Sequence, residues 1–225
     1  MRSIETVAEL RHQIAAAKSR GERVGFVPTM GALHEGHQAL VRVARAQCDF
    51  VVVSTYVNPT QFAPGEDFDR YPRTPARDAE FAASAGADLL WRPVDRELYP
   101  PGSESRVSAG PDGERLCGSF RTGHFTGVAT VIVKLLNAVQ PDVLYLGEKD
   151  YQQAVLMRRV VRDLMIPVEV RMVPTVRDPD GLALSSRNRY LIADERSAAL
   201  SLPRVLDIVA DHVAGGERSV GRLRA

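Results

Sequence analysis

Sulfhydryl chemistry is scarce in this chain of 225 residues: Cys48 and Cys117 are its two cysteines, far apart and in no CxxC pair. That excludes a zinc ribbon and a disulfide framework, and it fits a reducing compartment. Charge of one sign is scarce too. The 29 Lys and Arg against 28 Asp and Glu leave a formal net charge of +1, which gives no electrostatic footprint for nucleic acid or a membrane surface. No apolar run approaches the ~20 residues that cross a bilayer. The N-terminal MRSIETVAEL lacks the uninterrupted apolar stretch of a signal peptide. There is no internal repeat and no low-complexity tract. The expectation is a soluble, cytoplasmic protein with neither nucleic-acid nor membrane partners. Its length suits one sizeable α/β domain, or one domain and part of a second.

Strand-like and helix-like segments alternate along the chain. RVGFVPTM (23–30), the β-branched DFVVVSTYV (49–57), DLLW (88–91), DVLYLG (142–147) and VEVRMV (168–173) read as short buried strands. Between them HQALVRVARAQC (37–48), TPARDAEFAASAGA (74–87), a long apolar FTGVATVIVKLLNAVQ stopped by Pro141, and DYQQAVLMRRVVRDLM (150–165) read as helices. Such repetition predicts right-handed crossovers and an open parallel sheet with helices on both faces. Ligands then sit at the carboxyl ends of the strands. Residues 100–118, rich in Pro, Gly and Ser, read as a surface loop or lid. From about Asp194 the pattern is helical, with Pro203 interrupting it.

PTMGALHEGH (28–37) places two histidines three apart behind a Gly-containing turn. Gly31 and Gly36 permit a tight turn and close backbone approach to a ligand. The following helix aims its N-terminal N–H groups and positive dipole end into that turn, which suits phosphate. His34 and His37 add donors where negative charge grows on phosphorus or on a departing pyrophosphate. Two other readings stand beside this one. Loop histidines are commonly surface or hydrogen-bonded structural residues. A His-x-x-His pair can also ligate zinc, although HEGH lacks the HExxH spacing and offers no evident third ligand.

Other polar groups fall after predicted strands. Asn58 and Gln61 in NPTQF offer amides that can donate to a carboxylate or accept from a hydroxyl or ammonium; an Asn-Pro turn with a solvated glutamine is the plainer alternative. In GEKDYQQ, Asp150 is placed to cap a helix. Lys149 there is a point charge suited to phosphate, or a solvated lysine, and Gln153 lies one turn into the helix. In LSSRN (184–188), Ser185, Ser186 and Arg187 can grip phosphate oxygens, the guanidinium bidentately, or form a serine-rich turn with a surface ion pair. Arg121, near His124 in RTGHF, can neutralise a carboxylate or be one more exposed arginine.

PTMGALHEGH resembles the HxGH signature of the nucleotidylyltransferase superfamily, relatives of class I aminoacyl-tRNA synthetases. YVNPTQF, YPRT, RTGHFTGVATVIVKLLN, GEKDYQQ and LSSRN follow it in order. Over nearly its whole length the chain therefore resembles the pantoate–β-alanine ligase (pantothenate synthetase) family. The resemblance implies a Rossmann-like open parallel sheet over residues 1–180, then a smaller C-terminal lid domain begun at 181–225 and cut short, in a homodimer. It implies ATP as co-substrate, Mg2+ carried by the ATP phosphates, and pantoate and β-alanine as the molecules joined through a pantoyl adenylate.

By the same resemblance ATP is met by Met30, Gly31, Ala32, Leu33, His34, Glu35, Gly36 and His37. It is also met by Gly147, Glu148, Lys149 and Asp150, by the backbone of Val176, and by a mobile loop of Leu184, Ser185, Ser186 and Arg187. Gln61 contacts both acids, Gln153 contacts pantoate, Asn58 helps hold β-alanine, and Arg121 and His124 border the pantoate pocket. His34, His37, Lys149 and Arg187 form the catalytic set, stabilising charge at the phosphates, and Asp78 is an outer-sphere contact of magnesium. Leu184 stands where the family often has Met, a swap that conserves volume. Family members run longer, so closure of the C-terminal domain over ATP is expected to lack support. Two rivals remain. Another HxGH nucleotidylyltransferase explains the histidines but not the paired glutamines; a shortened chain binding ATP or pantoate without turnover keeps every motif.

Overall fold

The β-branched runs become the centre of one six-stranded, all-parallel sheet, ordered β1-β4-β3-β2-β5-β6. The strands are β1 (Arg2–Ile4), β2 (Val24–Thr29), β3 (Phe50–Thr55), β4 (Leu89–Trp91), β5 (Val143–Gly147) and β6 (Glu169–Val173). The structure, a computed structural model, describes residues 1–224. They fall into two units, Met1–Pro174 and a second from Thr175 onward. The sheet belongs to the first.

Alternate strand residues feed two separate cores, as a period of two requires. Phe26, Val52, Leu89, Trp91, Leu144 and Leu146 pack with α1 (Val7–Ser19), α6 (His124–Val139) and α7 (Tyr151–Asp163). Val27, Val51, Val53, Leu90, Val143 and Tyr145 pack with α2 (Glu35–Gln47) and α3 (Pro75–Ser84). The sheet is thus covered on both faces. The expected apolar stripe of α6 is core: Phe125, Val128, Val131, Ile132, Leu135, Leu136 and Val139 are buried. That helix ends at Val139, with Gln140 left-handed (φ 49°) before Pro141.

The structure adds elements that the alternating pattern did not reveal. β1 and α1 precede the first expected strand, α1 opening on a capping box between Thr6 and Glu9. Short helices α4 (Asp95–Leu98) and α5 (Cys117–Phe120) lie in the connection from β4 to α6. The 100–118 segment is irregular but anchored: Gln152 donates to the Asp112 and Arg115 carbonyls and accepts from the Cys117 N–H, and Arg159 pairs with Asp112 at 2.6 Å.

In the second unit, α8 (Ala193–Ala199), α9 (Ser201–Ala214) and α10 (Val220–Arg224) follow an irregular stretch. The helical run is interrupted just ahead of Pro203, as expected: α8 ends at Ala199 and α9 begins at Ser201. Pro203 itself lies in the first turn of α9, where its missing N–H is not needed. Among the described residues no helix is long and apolar enough to cross a membrane.

Candidate active site

From β2 the chain steps outward to β3 and β4, then returns to lay β5 on the other side of β2. The connections therefore diverge between β2 and β5, and the carboxyl ends there form a crevice of the kind that binds ligands. β2 and β3 stay paired to their last residues, Thr29 with Thr55. The segments beginning at Met30 and Tyr56 consequently leave the sheet side by side, tied by the Tyr56 N–H on the Thr29 carbonyl at 3.0 Å.

After β2 the backbone turns through left-handed Gly31 (φ 82°) and Ala32 (φ 51°). A Cβ-bearing residue is strained there, and a buried carboxylate holds it. Asp78, 3% exposed in the first turn of α3, accepts from the Ala32 N–H at 3.1 Å, the Leu33 N–H at 2.8 Å and the Thr74 hydroxyl at 3.0 Å. Asp78 therefore differs from the expected outer-sphere magnesium contact: its oxygens are turned into the loop and organise it.

His34 caps α2 and closes a reciprocal pair with His37. The Gly36 N–H donates to His34 Nδ1 (3.2 Å), and the His34 N–H donates to His37 Nδ1 (3.3 Å). A nitrogen that accepts from a backbone N–H carries no proton, so both neutral rings bear theirs on Nε2. The rings lie 4.0 Å apart. His37 keeps an accessible edge but is crowded by protein elsewhere. That desolvation, with the electrostatic influence of neighbouring His34 and Lys149, pushes its pKa down to about 3. The site thus holds neutral Nε2–H donors. The backbone donors expected for phosphate are largely used within the loop, by Asp78 and His34, which shifts anion recognition onto side chains. Glu35 is exposed at the start of α2.

After β5, Glu148–Asp150 form a 3-10 turn leading into α7. Lys149 pairs with Asp150 at 3.3 Å. Asp150 occupies the N-cap position of α7 without a side-chain cap bond, unlike the expectation, because its carboxylate faces Lys149. Gly147 ends the strand, and nothing crowds the place of its missing side chain. Gln153 is half-buried in the first turn of α7, and among the described residues its amide makes no hydrogen bond within the chain.

After β3, a 3-10 turn (Pro59–Gln61) sits against α6. Gly127 allows this: a Cβ there would lie 2.2 Å from the Thr60 carbonyl oxygen. Asn58, 1% exposed, donates to the Gly127 carbonyl and to Gln61 Oε1, and Gln61 Nε2 reaches Met30 Sδ at 3.0 Å. Next to it, Arg121 grips Glu66 with two bonds of 2.6 Å and faces His124 Nε2 at 3.1 Å, while His124 Nδ1 meets the Gln61 carbonyl at 2.7 Å. Since the carbonyl only accepts, the His124 proton sits on Nδ1. Burial holds its pKa below the ordinary value despite the bond to Gln61, and the Arg121 charge lowers it further. Arg121 does neutralise a carboxylate, that of Glu66, whose pKa it lowers. The His34/His37 loop, Lys149, Asn58 and Gln61 are thus brought to one end of the sheet.

Val176 and Leu184–Arg187 belong to the second unit. There the Leu184 N–H donates to the Val176 carbonyl (3.0 Å), and Arg177 and Ala183 form an antiparallel bridge. Ser185 caps a 3-10 turn (Ser186–Tyr190) through the Arg187 N–H, with Ser186 buried and Arg187 exposed. Arg196 clamps the preceding Asp178–Gly181 turn, meeting Asp178 at 2.8 Å and Asp180 at 2.7 Å.

Sequence reasoning missed Glu66, Gly127 and Tyr99, whose hydroxyl donates to Asn58 Oδ1 at 2.9 Å, and misread Asp78. Their partners lie far away in the chain, so spacing carries no signal for them.

Residues 2–224 match the model of a family described as pantoate-beta-alanine ligase. The chain is 52% identical to a pantothenate synthetase of Moorella thermoacetica, over all of this chain and 79% of that one. It is likewise 52% identical to pantothenate synthetase 1 of Bradyrhizobium diazoefficiens, over all of this chain and 80% of that one. A crystal structure of pantothenate synthetase from Thermus thermophilus superposes with a TM-score of 0.93 at 51% identity, covering 99% of this chain and 79% of that one. A pantoate-beta-alanine ligase from Francisella tularensis, complexed with beta-gamma ATP and beta-alanine, gives 0.84 at 38% identity, covering 92% and 79%.

Proposed function

The chain belongs to the pantoate–β-alanine ligase family, and from that premise and the strand-end geometry we infer that it condenses pantoate with β-alanine in two steps, consuming ATP. In the first, a pantoate carboxylate oxygen bonds to the α-phosphorus and the bond to the β-phosphate oxygen breaks, releasing pyrophosphate. In the second, the β-alanine nitrogen bonds to the acyl carbon, loses a proton, and the acyl C–O bond to AMP breaks.

The observation that carries this reading is the reciprocal His34–His37 pair. Its fixed Nε2–H tautomers and the low pKa of His37 support neutral imidazoles acting as donors to phosphate oxygens as charge develops. A donor that is already neutral does not lose a proton to the phosphate. Lys149, close enough to depress His37, supplies the positive charge. Gln61, with Gln153 as an unpartnered amide, orients the hydroxy acid. In the second unit, Ser185, Ser186 and Arg187 offer the hydroxyls and guanidinium that phosphate oxygens would take. Among the described residues no cluster of three or more His, Cys, Asp or Glu could hold a metal. Magnesium would arrive on ATP with its waters and neutralise phosphate charge. The same reading carries a cytoplasmic homodimer.

Pyrophosphate release from MgATP, with and without pantoate and with no β-alanine, tests the reading. Pantoate-dependent release that His37→Ala impairs is the expected result. ATP binding by calorimetry without any release would instead make the chain a binder without turnover.

A further inference from the structure

The direction in which Gln61 presents its amide follows from groups whose roles are unambiguous. The Thr60 backbone N–H can only donate, and it meets one terminal atom of Asn58 at 3.4 Å, so that atom is the oxygen. The hydroxyls of Thr60 (3.0 Å) and Tyr99 (2.9 Å) donate to it as well. The Gly127 carbonyl can only accept, so the other terminal atom, 3.2 Å away, is the nitrogen. Its second hydrogen points at a Gln61 terminal atom 3.1 Å away, which must then be Oε1. Gln61 Nε2 is left facing Met30 Sδ, a weak acceptor at the mouth of the β2 loop. Asn58 is 1% exposed, so its amide is satisfied by these protein partners and not by bulk solvent. Both its hydrogens are spent within the protein, and three donors already converge on its oxygen.

We propose that Asn58 is a positioning residue that fixes Gln61 as a donor towards the acceptor oxygens of the hydroxy acid, so that its influence falls on the first half-reaction and on selection of an oxygen-rich acid. This departs from the direct hold on β-alanine that the family resemblance implies for Asn58, and it rests on Gln61 being a pantoate contact.

The decisive variant is Asn58→Asp, which keeps the shape but cannot donate to Gln61 Oε1. The Gln61 amide must then invert and offer its oxygen to the substrate. Pantoate-dependent pyrophosphate release, measured without β-alanine, should lose at least about tenfold in kcat/KM for pantoate, the cost of one buried unpaired polar group. ATP affinity by calorimetry should stay unchanged. A variant with normal release and a raised KM for β-alanine alone overturns the proposal. Because a buried charge can prevent folding, Asn58→Ala is run beside it: it removes the donor without adding charge and should weaken the same half-reaction, and normal release overturns the proposal equally. Gln61→Ala separates the two layers. If Gln61→Ala leaves release intact, the pantoate role of Gln61 fails and the proposal with it. If Gln61→Ala impairs release while neither Asn58 variant does, the positioning role alone fails.

Discussion

Replacing Asp78 by Asn changes one atom in the residue that shapes the histidine loop. The carboxylate is 3% exposed and accepts from two consecutive backbone N–H groups and a hydroxyl. An amide keeps one acceptor and turns an NH2 towards a second donor, leaving a backbone N–H unsatisfied. Loss of one charge-assisted bond and burial of that orphan together cost about 3 kcal/mol. For a chain of this size that lowers Tm by about 6–12 °C. Trp91, the single tryptophan, is fully buried in β4, so its fluorescence in a urea titration reports unfolding of the sheet directly. Ala32 is held at φ 51° only while its N–H is gripped, so the loop should relax and carry His34 and His37 off line. The kcat for pyrophosphate release should fall further than stability alone explains. A variant within about 0.5 kcal/mol of wild type, with unchanged kcat, would refute the idea that this carboxylate organises the loop.

His37 makes the fold sensitive to acid: the folded chain keeps it neutral down to about 3, whereas the unfolded chain takes up its proton near 6.5. The unfolded state binds more protons between those values, so stability should fall as pH drops from about 6.5 towards 3. His37→Asn should flatten that slope in urea titrations, and an unchanged slope would count against a buried neutral His37. Gly127→Ala places a Cβ 2.2 Å from the Thr60 oxygen. Pushing the Asn58–Gln61 turn off α6 should cost about 1–3 kcal/mol and raise KM for pantoate, and a wild-type KM would contradict the seating described. Arg196→Ala removes the clamp on Asp178 and Asp180. Hydrogen exchange should then quicken at the Leu182 and Leu184 amides, and unchanged protection would show that the turn stands without it.

The strands at the centre of the sheet were legible because parallel strands buried on both faces read as unbroken apolar runs, as in Phe50–Thr55. β1 escaped because three residues at a sheet edge, only Ile4 of them buried, leave no run to see. α1 mixes charges and alanines on a weak apolar stripe, although Thr6 and Glu9 at capping-box spacing were there to be read. The histidine turn was legible as local chemistry. What its donors face was not, because Asp78 reaches Ala32 across 46 residues of chain. The same distance problem hid the orientation of Gln61, which is settled by a carbonyl 69 residues beyond Asn58. Asp150 sat where a capping residue belongs, yet electrostatics with adjacent Lys149 won over the helix end.

The central claim is that the carboxylate of pantoate, held beside His34, His37 and Lys149, attacks phosphorus before any amine arrives. Pantoate labelled with 18O in both carboxylate oxygens tests it most directly, by mass spectrometry of the products of one turnover with MgATP and β-alanine. The account predicts one labelled oxygen in AMP and one retained in the pantothenate amide. Label in pyrophosphate or inorganic phosphate, with none in AMP, would contradict it.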